Sequence, residues 1–235
     1  MTRSRRTRAS AALCMAVLSA LLMALGVWQV QRLQWKTALI AQVDARVHAQ
    51  AGAAPAPSNW PALSRNQDEY RHLRLNGRFV DAGATLVQAS TVLGPGYWVL
   101  TPFRCDDGSM VLVNRGFVPA RSALPAGPQH QSITGLLRMS ERDKPLLREN
   151  DPRAGRWYTR HVQAIAAARG LGPVAPYFVD QDAAPAPIAG APVGGLTVIA
   201  FHNNHLVYAI TWFALSLMAA AGCALIARSG KTTTS

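Results

Sequence analysis

Acidic residues are scarce in this 235-residue chain, and both of its ends lack them. The 12 Asp and Glu residues all lie between Asp44 and Asp182, whereas Lys and Arg number 24. Cysteine is rarer still, and three cysteines exclude a scaffold held by a dense disulfide network. Only 15% of the residues are charged and 49% are hydrophobic. This composition argues against a disordered chain, which needs low hydrophobicity and dense charge.

Sequence motifs of common enzyme classes are missing as well. The chain has no P-loop, no Rossmann glycine fingerprint, no HExxH and no CxxC, and it has no GxSxG nucleophile elbow. The acidic pairs Asp68-Glu69 and Asp106-Asp107 fall in loop-like positions, where we interpret them as solvated turns. No nucleic-acid motif or basic tract accompanies the net charge of +12. We therefore expect neither an enzyme nor nucleic-acid binding, although carboxylates distant in sequence can still pair in space.

Two long uncharged segments dominate the chain. Residues 9–30 and 206–227 each form a run of 22 residues without a charge. A helix needs about 20 apolar residues to cross a hydrocarbon core roughly 30 Å thick. Each run carries a tryptophan near the end that faces the middle of the chain, Trp28 and Trp212, as membrane-interface anchors do. The two runs are therefore predicted to be transmembrane helices.

The basic residues at the two ends predict the orientation in the membrane. Four arginines precede the first run, and Arg228 and Lys231 follow the second. Cytoplasmic flanks carry an excess of Lys and Arg, so both termini are expected in the cytoplasm and the middle of the chain on the opposite side. The alternative for the first run is a cleaved signal peptide with a site near residues 24–26, but the run exceeds the usual length of such a segment and a second span follows.

The segment between the runs predicts a domain rich in β-strands. Apolar residues recur every four positions up to Val47, which extends the first helix to about Gln50, and a Pro/Ala linker follows. A helix is predicted over Thr159–Arg169. Short segments rich in Val, Leu, Thr and aromatic residues predict strands at Tyr70–Phe79, Ala84–Leu93, Tyr97–Phe103, Ser109–Val118, Ser132–Met139 and Pro176–Asp180.

The predicted fold class is an α+β membrane protein. Two transmembrane helices flank an antiparallel β-rich extracytoplasmic domain that contains one or two helices. The predicted boundaries are a cytoplasmic N-terminal tail at 1–8, transmembrane helix 1 at 9–30, a helical extension and linker at 31–61, the β-rich domain at 62–205, transmembrane helix 2 at 206–227 and a cytoplasmic C-terminal tail at 228–235.

Two histidines stand at the outer end of the second run. His202 and His205 are three residues apart, so they share one face if the segment is helical. An ionisable group at a membrane boundary is a candidate for function, and neutral imidazole is a ligand for haem iron, copper or zinc. The alternative interpretation is that both are polar residues of the membrane interface. Spacing alone leaves the two interpretations open.

Several stretches read together resemble a known family. The chain is similar to the Surfeit-locus family of cytochrome c oxidase assembly factors, which includes the Shy proteins of yeast and bacterial relatives, from about residue 25 to 215. The stretches that carry the resemblance are LGVWQ at 25–29, YWVLTPF at 97–103, VNRGFVP at 113–119, PVGG at 192–195 and NNHLVYAITWF at 203–213.

The resemblance implies that the chain binds haem a and has no catalytic residues. The histidine of the family's NHL motif falls on His205, which would be the axial ligand of the haem iron. His202 stands where the family commonly carries a basic residue, so a second ligand is not implied. Asn204 is expected to orient His205 through a hydrogen bond. Tyr208 and Trp212 are expected to line the porphyrin, with interfacial anchoring as the alternative.

A basic residue is expected to meet the two propionates of haem a. Arg115, in the VNRGFVP stretch, is the candidate, and an ion pair at the end of a hairpin is the alternative role. The implied partners are cytochrome c oxidase subunits, above all the haem-bearing subunit, together with haem a synthase and the lipid bilayer. The expected location is the bacterial inner membrane, with the mitochondrial inner membrane as the alternative.

Two other functions remain open from the sequence. One is a scaffold that stabilises oxidase subunits without touching haem, in which case His205 is structural. The other is copper delivery by His202 and His205. Copper carriers in oxidising compartments usually use Cys or Met, and neither residue type clusters here, so copper delivery is the weaker alternative.

Overall fold

The computed structural model describes residues 2–80, 83–121, 130–141, 148–186, 189–199, 201 and 203–229. The chain divides into two compact units, a helical unit of residues 1–42 and 200–235 and a β domain of residues 43–199. In chain order the elements are α1 (Thr2–Val47), β1 (Gly52–Ala53), a 3₁₀ helix (Pro57–Ala62), α2 (Arg65–Asp68), β2 (His72–Phe79), β3 (Thr85–Thr91), β4 (Gly94–Cys105), β5 (Met110–Val118), β6 (Gln131–Met139), α3 (Val162–Ala168), β7 (Tyr177–Gln181) and α4 (His205–Ser229).

The helices α1 and α4 confirm that both apolar runs are helical. By length and composition, each is apolar enough to cross a membrane. Within the most apolar 18-residue stretch of each helix, only 6% of α1 and 17% of α4 is buried. Large side chains such as Leu13 and Leu217 are therefore exposed. An apolar helix that exposes most of its surface is typical of a membrane span. α1 ends at Val47, close to the predicted end of the helical extension.

The six predicted strands are confirmed as β2 to β7, but the sheet is mixed rather than antiparallel. β1 pairs with β2 in parallel, and β5 pairs with β7 in parallel. The prediction of an antiparallel domain is wrong for these two pairs. A long connection that contains α3 brings β7 between β5 and β6, and such a crossover allows parallel pairing. The predicted linker also forms β1 and the 3₁₀ helix.

Five strands of the β domain close into a ring. The order β2-β6-β7-β5-β4 is closed because the end of β2 also pairs with β4, at Gly77 to Phe79. One buried cluster takes alternate residues from all five strands, so it fills the inside of the ring; its members are Leu73, Leu75, Phe103, Val111, Val113, Ile133, Leu137, Ala175, Tyr177 and Val179. The intervening residues Leu112 and Phe178 face the opposite way and pack with Ile165 of α3.

A β-bulge lies within the VNRGFVP stretch. Trp98 pairs with Phe117 and Leu100 with Asn114, so Arg115 and Gly116 both stand opposite Val99. Gly116 has φ 126, and the backbone of Val193 occupies the space that a Cβ of Gly116 would need. Phe117 and Val193 exchange two backbone hydrogen bonds of 2.9 Å. The VNRGFVP and PVGG stretches are therefore in contact.

Candidate functional site in the helical unit

One face of α1 is less exposed than the rest of the helix. Its residues recur at alternating spacings of three and four, which is the pattern of a coiled-coil seam; they are Ala12, Met15, Ser19, Leu22, Gly26 and Gln29. α4 packs against this seam in the antiparallel direction, so residues late in α1 meet residues early in α4. The seam therefore determines which side chains of the two helices meet.

Small and polar residues bring the two helices close together. The hydroxyl of Ser19 donates to the carbonyl oxygen of Ser216 at 2.9 Å, and the hydroxyl of Ser216 donates to the carbonyl oxygen of Ser19 at 2.8 Å. At Gly26 the ring of Phe213 occupies the space where a Cβ would lie. Small residues allow this close approach, and hydrogen bonds between helices strengthen the association in lipid.

The polar contact at the end of the seam joins Gln29 and His205. The Oε1 atom of Gln29 lies 2.7 Å from the Nδ1 atom of His205, and Gln29 is only 8% exposed. An amide oxygen only accepts hydrogen bonds, so Nδ1 is the donor in this contact, and in the neutral imidazole Nε2 then holds the lone pair. Within the described part of the chain, Nε2 of His205 has no hydrogen-bond partner. Nε2 is therefore the ring nitrogen that the contact with Gln29 leaves available.

The other predicted residues lie around His205 at the start of α4. Tyr208 is 53% exposed, whereas Trp212 is half-buried and lies two helical turns from His205 on the same face. The side chain of Asn204 is exposed, and among the described residues it makes no hydrogen bond to His205. Gln29 takes the orienting position that was expected for Asn204. His202 lies outside the described residues.

Two features beside this site were missed by sequence reasoning. The Oδ1 atom of Asn203 is buried without a hydrogen-bond partner among the described residues. Lys36 is half-buried on α1, and its Nζ atom lies 5.6 Å from the ring centre of Phe201. It follows Gln29 by two helical turns, or about 10 Å along the axis. The signal that could have found Gln29 is its place in the seam: it is a polar residue ten positions after Ser19 and three positions after Gly26.

Arg115 belongs to the β domain, beside the bulge. Its guanidinium lies 4.8 Å from the ring centre of Phe79, and burial lowers its pKa. No carboxylate of the described residues lies within ion-pair distance of it, so the alternative role in an ion pair at the hairpin end is not found there. A half-buried guanidinium without a carboxylate is suited to an anionic group.

A buried charge cluster also lies in the β domain. Asp180 is 5% exposed and accepts hydrogen bonds from Arg138 at 2.9 Å and from Arg160 at 3.2 Å. Burial raises the pKa of Glu141, but the charge and hydrogen bonds of Arg160 outweigh it and hold that pKa below its usual value. A carboxylate whose pKa is lowered in this way, such as that of Glu141, is a poor proton donor at neutral pH. The cluster has the chemistry of structural ion pairs.

Near His205 the described residues offer single donor atoms rather than a cluster of metal ligands. Among the described residues, no group of three or more His, Cys, Asp and Glu side chains could hold a metal. A haem needs only axial ligands from the protein because the porphyrin supplies four nitrogens. In the neutral ring, Nε2 of His205 would be one such ligand, and the buried Oδ1 atom of Asn203 without a described partner lies two residues before it in the sequence.

Comparisons with known proteins agree on one family. The model of the SURF1 family matches residues 16–217. The Surfeit locus protein 1 of Rattus norvegicus is 34% identical over 213 residues, which cover 81% of this chain and 67% of the relative. The Homo sapiens protein of that name is 33% identical over 215 residues, covering 82% and 69%. A SURF1-like protein of Monosiga brevicollis is 33% identical over 225 residues, covering 88% and 83%.

Proposed function

Because this chain belongs to the SURF1 family, we propose that it is a membrane-anchored assembly factor for cytochrome c oxidase that binds haem a transiently. It helps to insert the haem into the catalytic subunit and catalyses no reaction itself. The observation that carries the proposal is the hydrogen-bonding state of the His205 ring. Its Nδ1 atom is held by Gln29, and its Nε2 atom is left with a lone pair.

The position of His205 suits the chemistry of haem a. The macrocycle is apolar and aggregates in water, whereas its two propionates are anionic. A ligand at the end of an apolar helix can hold the ring beside hydrocarbon and leave the propionates near the interface. The bound haem supplies an iron that takes the imidazole as axial ligand. Tyr208 and Trp212 offer aromatic surface beside His205, and Lys36 of the same helical unit is a candidate cation for the propionates.

The apolar helices support the membrane assignment. Both helices cross the bilayer, with the termini in the cytoplasm and the β domain on the opposite side, as the flanking Arg and Lys residues indicate. The bacterial inner membrane is the proposed location, and the mitochondrial inner membrane is the alternative. The proposed partners are oxidase subunits, above all the haem-bearing subunit, and haem a synthase.

A haem-independent scaffold is the second candidate function, and one feature of the β domain favours it. A cleft of about 660 Å³ is lined by Tyr97, Tyr158 and Arg148. The guanidinium of Arg121 lies 5.0 Å from the Tyr97 ring centre, and that of Arg148 lies 5.7 Å from the Tyr158 ring centre. Tyr and Arg are enriched in protein interfaces. This surface suits contact with an oxidase subunit.

The test is the haem content of the purified protein. The full chain is co-expressed with the haem a synthesis enzymes and purified in detergent, beside His205→Ala and the matched control His130→Ala, which removes an exposed histidine of the β domain. A haem a absorption band in the wild type and in the control, but not in His205→Ala, supports the carrier. No band in any of the three contradicts it and leaves the scaffold, which is then tested by co-purification of oxidase subunits with Tyr97→Ala and Tyr158→Ala.

A further inference from the structure

The contact between the two helices carries a further inference about how the ligand is prepared. We propose that Gln29 is a positioning residue that selects the neutral tautomer of His205 with a proton on Nδ1 and a bare Nε2. The inference rests on the proposed function, since it assumes that Nε2 is the atom that binds haem iron. Gln29 itself does not contact the iron in this proposal.

The geometry of Gln29 supports a specific role. It is a buried amide at the end of the uncharged run of α1, where an unpaired polar group is costly and normally finds a partner on a neighbouring helix. Its Oε1 atom faces Nδ1 of His205 at 2.7 Å, a short hydrogen bond between residues 176 positions apart in the chain. The amide is therefore aimed at the ring and is not a solvated interface residue.

The seam holds Gln29 at this distance. Three residues before it, Gly26 accommodates the ring of Phe213 where any side chain would collide. Further along, Ser19 and Ser216 exchange hydrogen bonds in both directions. These contacts fix the spacing and the register of α1 and α4, so the reach of the Gln29 side chain matches the position of the ring.

The hydrogen bond determines which nitrogen of His205 binds a metal. A neutral imidazole has one protonated and one bare nitrogen, and the acceptor on one side fixes which is which. With Oε1 accepting at Nδ1, the bare atom is Nε2. His205 on α4 is therefore ready to bind iron through Nε2 only while α1 is packed against it. Separation of the two helices would remove the hydrogen bond that holds both the tautomer and the orientation of the ring.

Three variants separate this role from a general effect on packing. Gln29→Leu keeps the bulk and removes the acceptor. Gln29→Glu keeps an oxygen acceptor with the same reach. Gln31→Leu makes the same chemical change at an exposed position of the same helix and is the matched control. Retained helix content in circular dichroism shows that each variant is folded.

The first measurement needs no haem. The full chain is labelled with ¹⁵N-histidine, reconstituted in lipid nanodiscs and examined by NMR, and His205→Ala assigns the resonances. We expect a protonated Nδ1 and a bare Nε2 for His205 in the wild type and Gln31→Leu, a proton retained on Nδ1 in Gln29→Glu, and a mixture of tautomers in Gln29→Leu. A wild-type spectrum with the proton on Nε2, or a Gln29→Leu spectrum identical to that of the wild type, would overturn the proposal.

The second measurement connects the tautomer to haem binding. Haem a is titrated into the same nanodiscs, and Gln29→Leu is expected to weaken its affinity by roughly 10- to 100-fold, the usual effect of losing a hydrogen bond to a ligating histidine. Gln29→Glu and Gln31→Leu are expected to bind much as the wild type does. Wild-type protein that binds no haem contradicts the proposed function, whereas equal affinity of the wild type and Gln29→Leu contradicts the role of Gln29.

Discussion

The buried carboxylate of Asp180 is predicted to be a main determinant of the stability of the β domain. It accepts hydrogen bonds from Arg138, Arg160, Asn114 and Thr197, at distances between 2.8 and 3.2 Å. Asp180→Asn keeps the shape of the side chain but removes its charge. The variant also turns an NH₂ group toward donors, so at least one buried donor loses its acceptor.

The expected loss of stability follows from this geometry. Asp180 is 5% exposed, and the side chains of Arg138 and Arg160 are 16% and 13% exposed. Removing one partner from a buried ion pair typically costs about 3–5 kcal/mol when the remaining charge stays buried without compensation. Arg138 keeps Glu69 and Arg160 keeps Glu141 as ion-pair partners, so we expect the lower end of this range, about 3 kcal/mol. For a chain of this size, about 1 kcal/mol corresponds to a shift in Tm of roughly 2–4 °C. Asp180→Asn is therefore expected to lower the Tm by about 6–12 °C.

The assay is thermal unfolding of the purified full chain in detergent, followed by tryptophan fluorescence, since Trp98 and Trp157 pack in the β domain. The matched control is Asp106→Asn. Asp106 is 58% exposed and pairs with an exposed histidine, so its loss is expected to cost at most about 1 kcal/mol. A Tm for Asp180→Asn that equals that of Asp106→Asn would refute the reasoning.

Three further predictions concern the helix pair, a histidine and a glycine. With Cys14 and Cys223 replaced by Ala, the pair Ser19→Cys and Ser216→Cys is expected to form a disulfide under mild oxidation, because the two hydroxyl oxygens lie 3.1 Å apart. Mass spectrometry detects the disulfide, and an equal yield when Ser216→Cys is combined with Val17→Cys, at an exposed position of α1, would contradict the packing of Ser19 against Ser216. His72 is partly buried, which lowers its pKa, but hydrogen bonds to Asp182 and to the Ala49 carbonyl outweigh this and raise the pKa above 6.5. Its stabilisation is therefore complete below pH 6.5 and is lost as the pH rises through the raised value, so the Tm deficit of His72→Gln should be largest at acidic pH; a deficit that grows with pH would contradict this. Gly116→Ala is expected to destabilise more than Gly108→Ala, because both have positive φ but only Gly116 packs against the backbone of Val193; equal Tm values for the two variants would count against the contact.

The helices and strands were predictable because their signals are local. The absence of charge over 22 residues marks both apolar helices, and runs of apolar and β-branched residues bounded by turn residues mark the strands. The parallel pairing of β5 with β7 was not predictable in the same way. It depends on where a long connection returns the chain, and no short stretch of sequence records that.

The candidate site was predictable only in part. His205 could be found because it stands at the end of an apolar run and matches the NHL motif of the family. Gln29 was missed because its role depends on the register between helices at opposite ends of the chain. The expectation that the adjacent Asn204 would orient the ring assumed a local partner, whereas at the start of α4 the partner comes from α1.

The bond between iron and His205 is the central claim, and resonance Raman spectroscopy of the ferrous haem a complex tests it most directly. The account predicts an iron–histidine stretching band in the wild type that shifts to lower frequency with ¹⁵N-histidine, is absent in His205→Ala and is retained in His130→Ala. A wild-type complex without this band, or a band that persists in His205→Ala, would contradict the account.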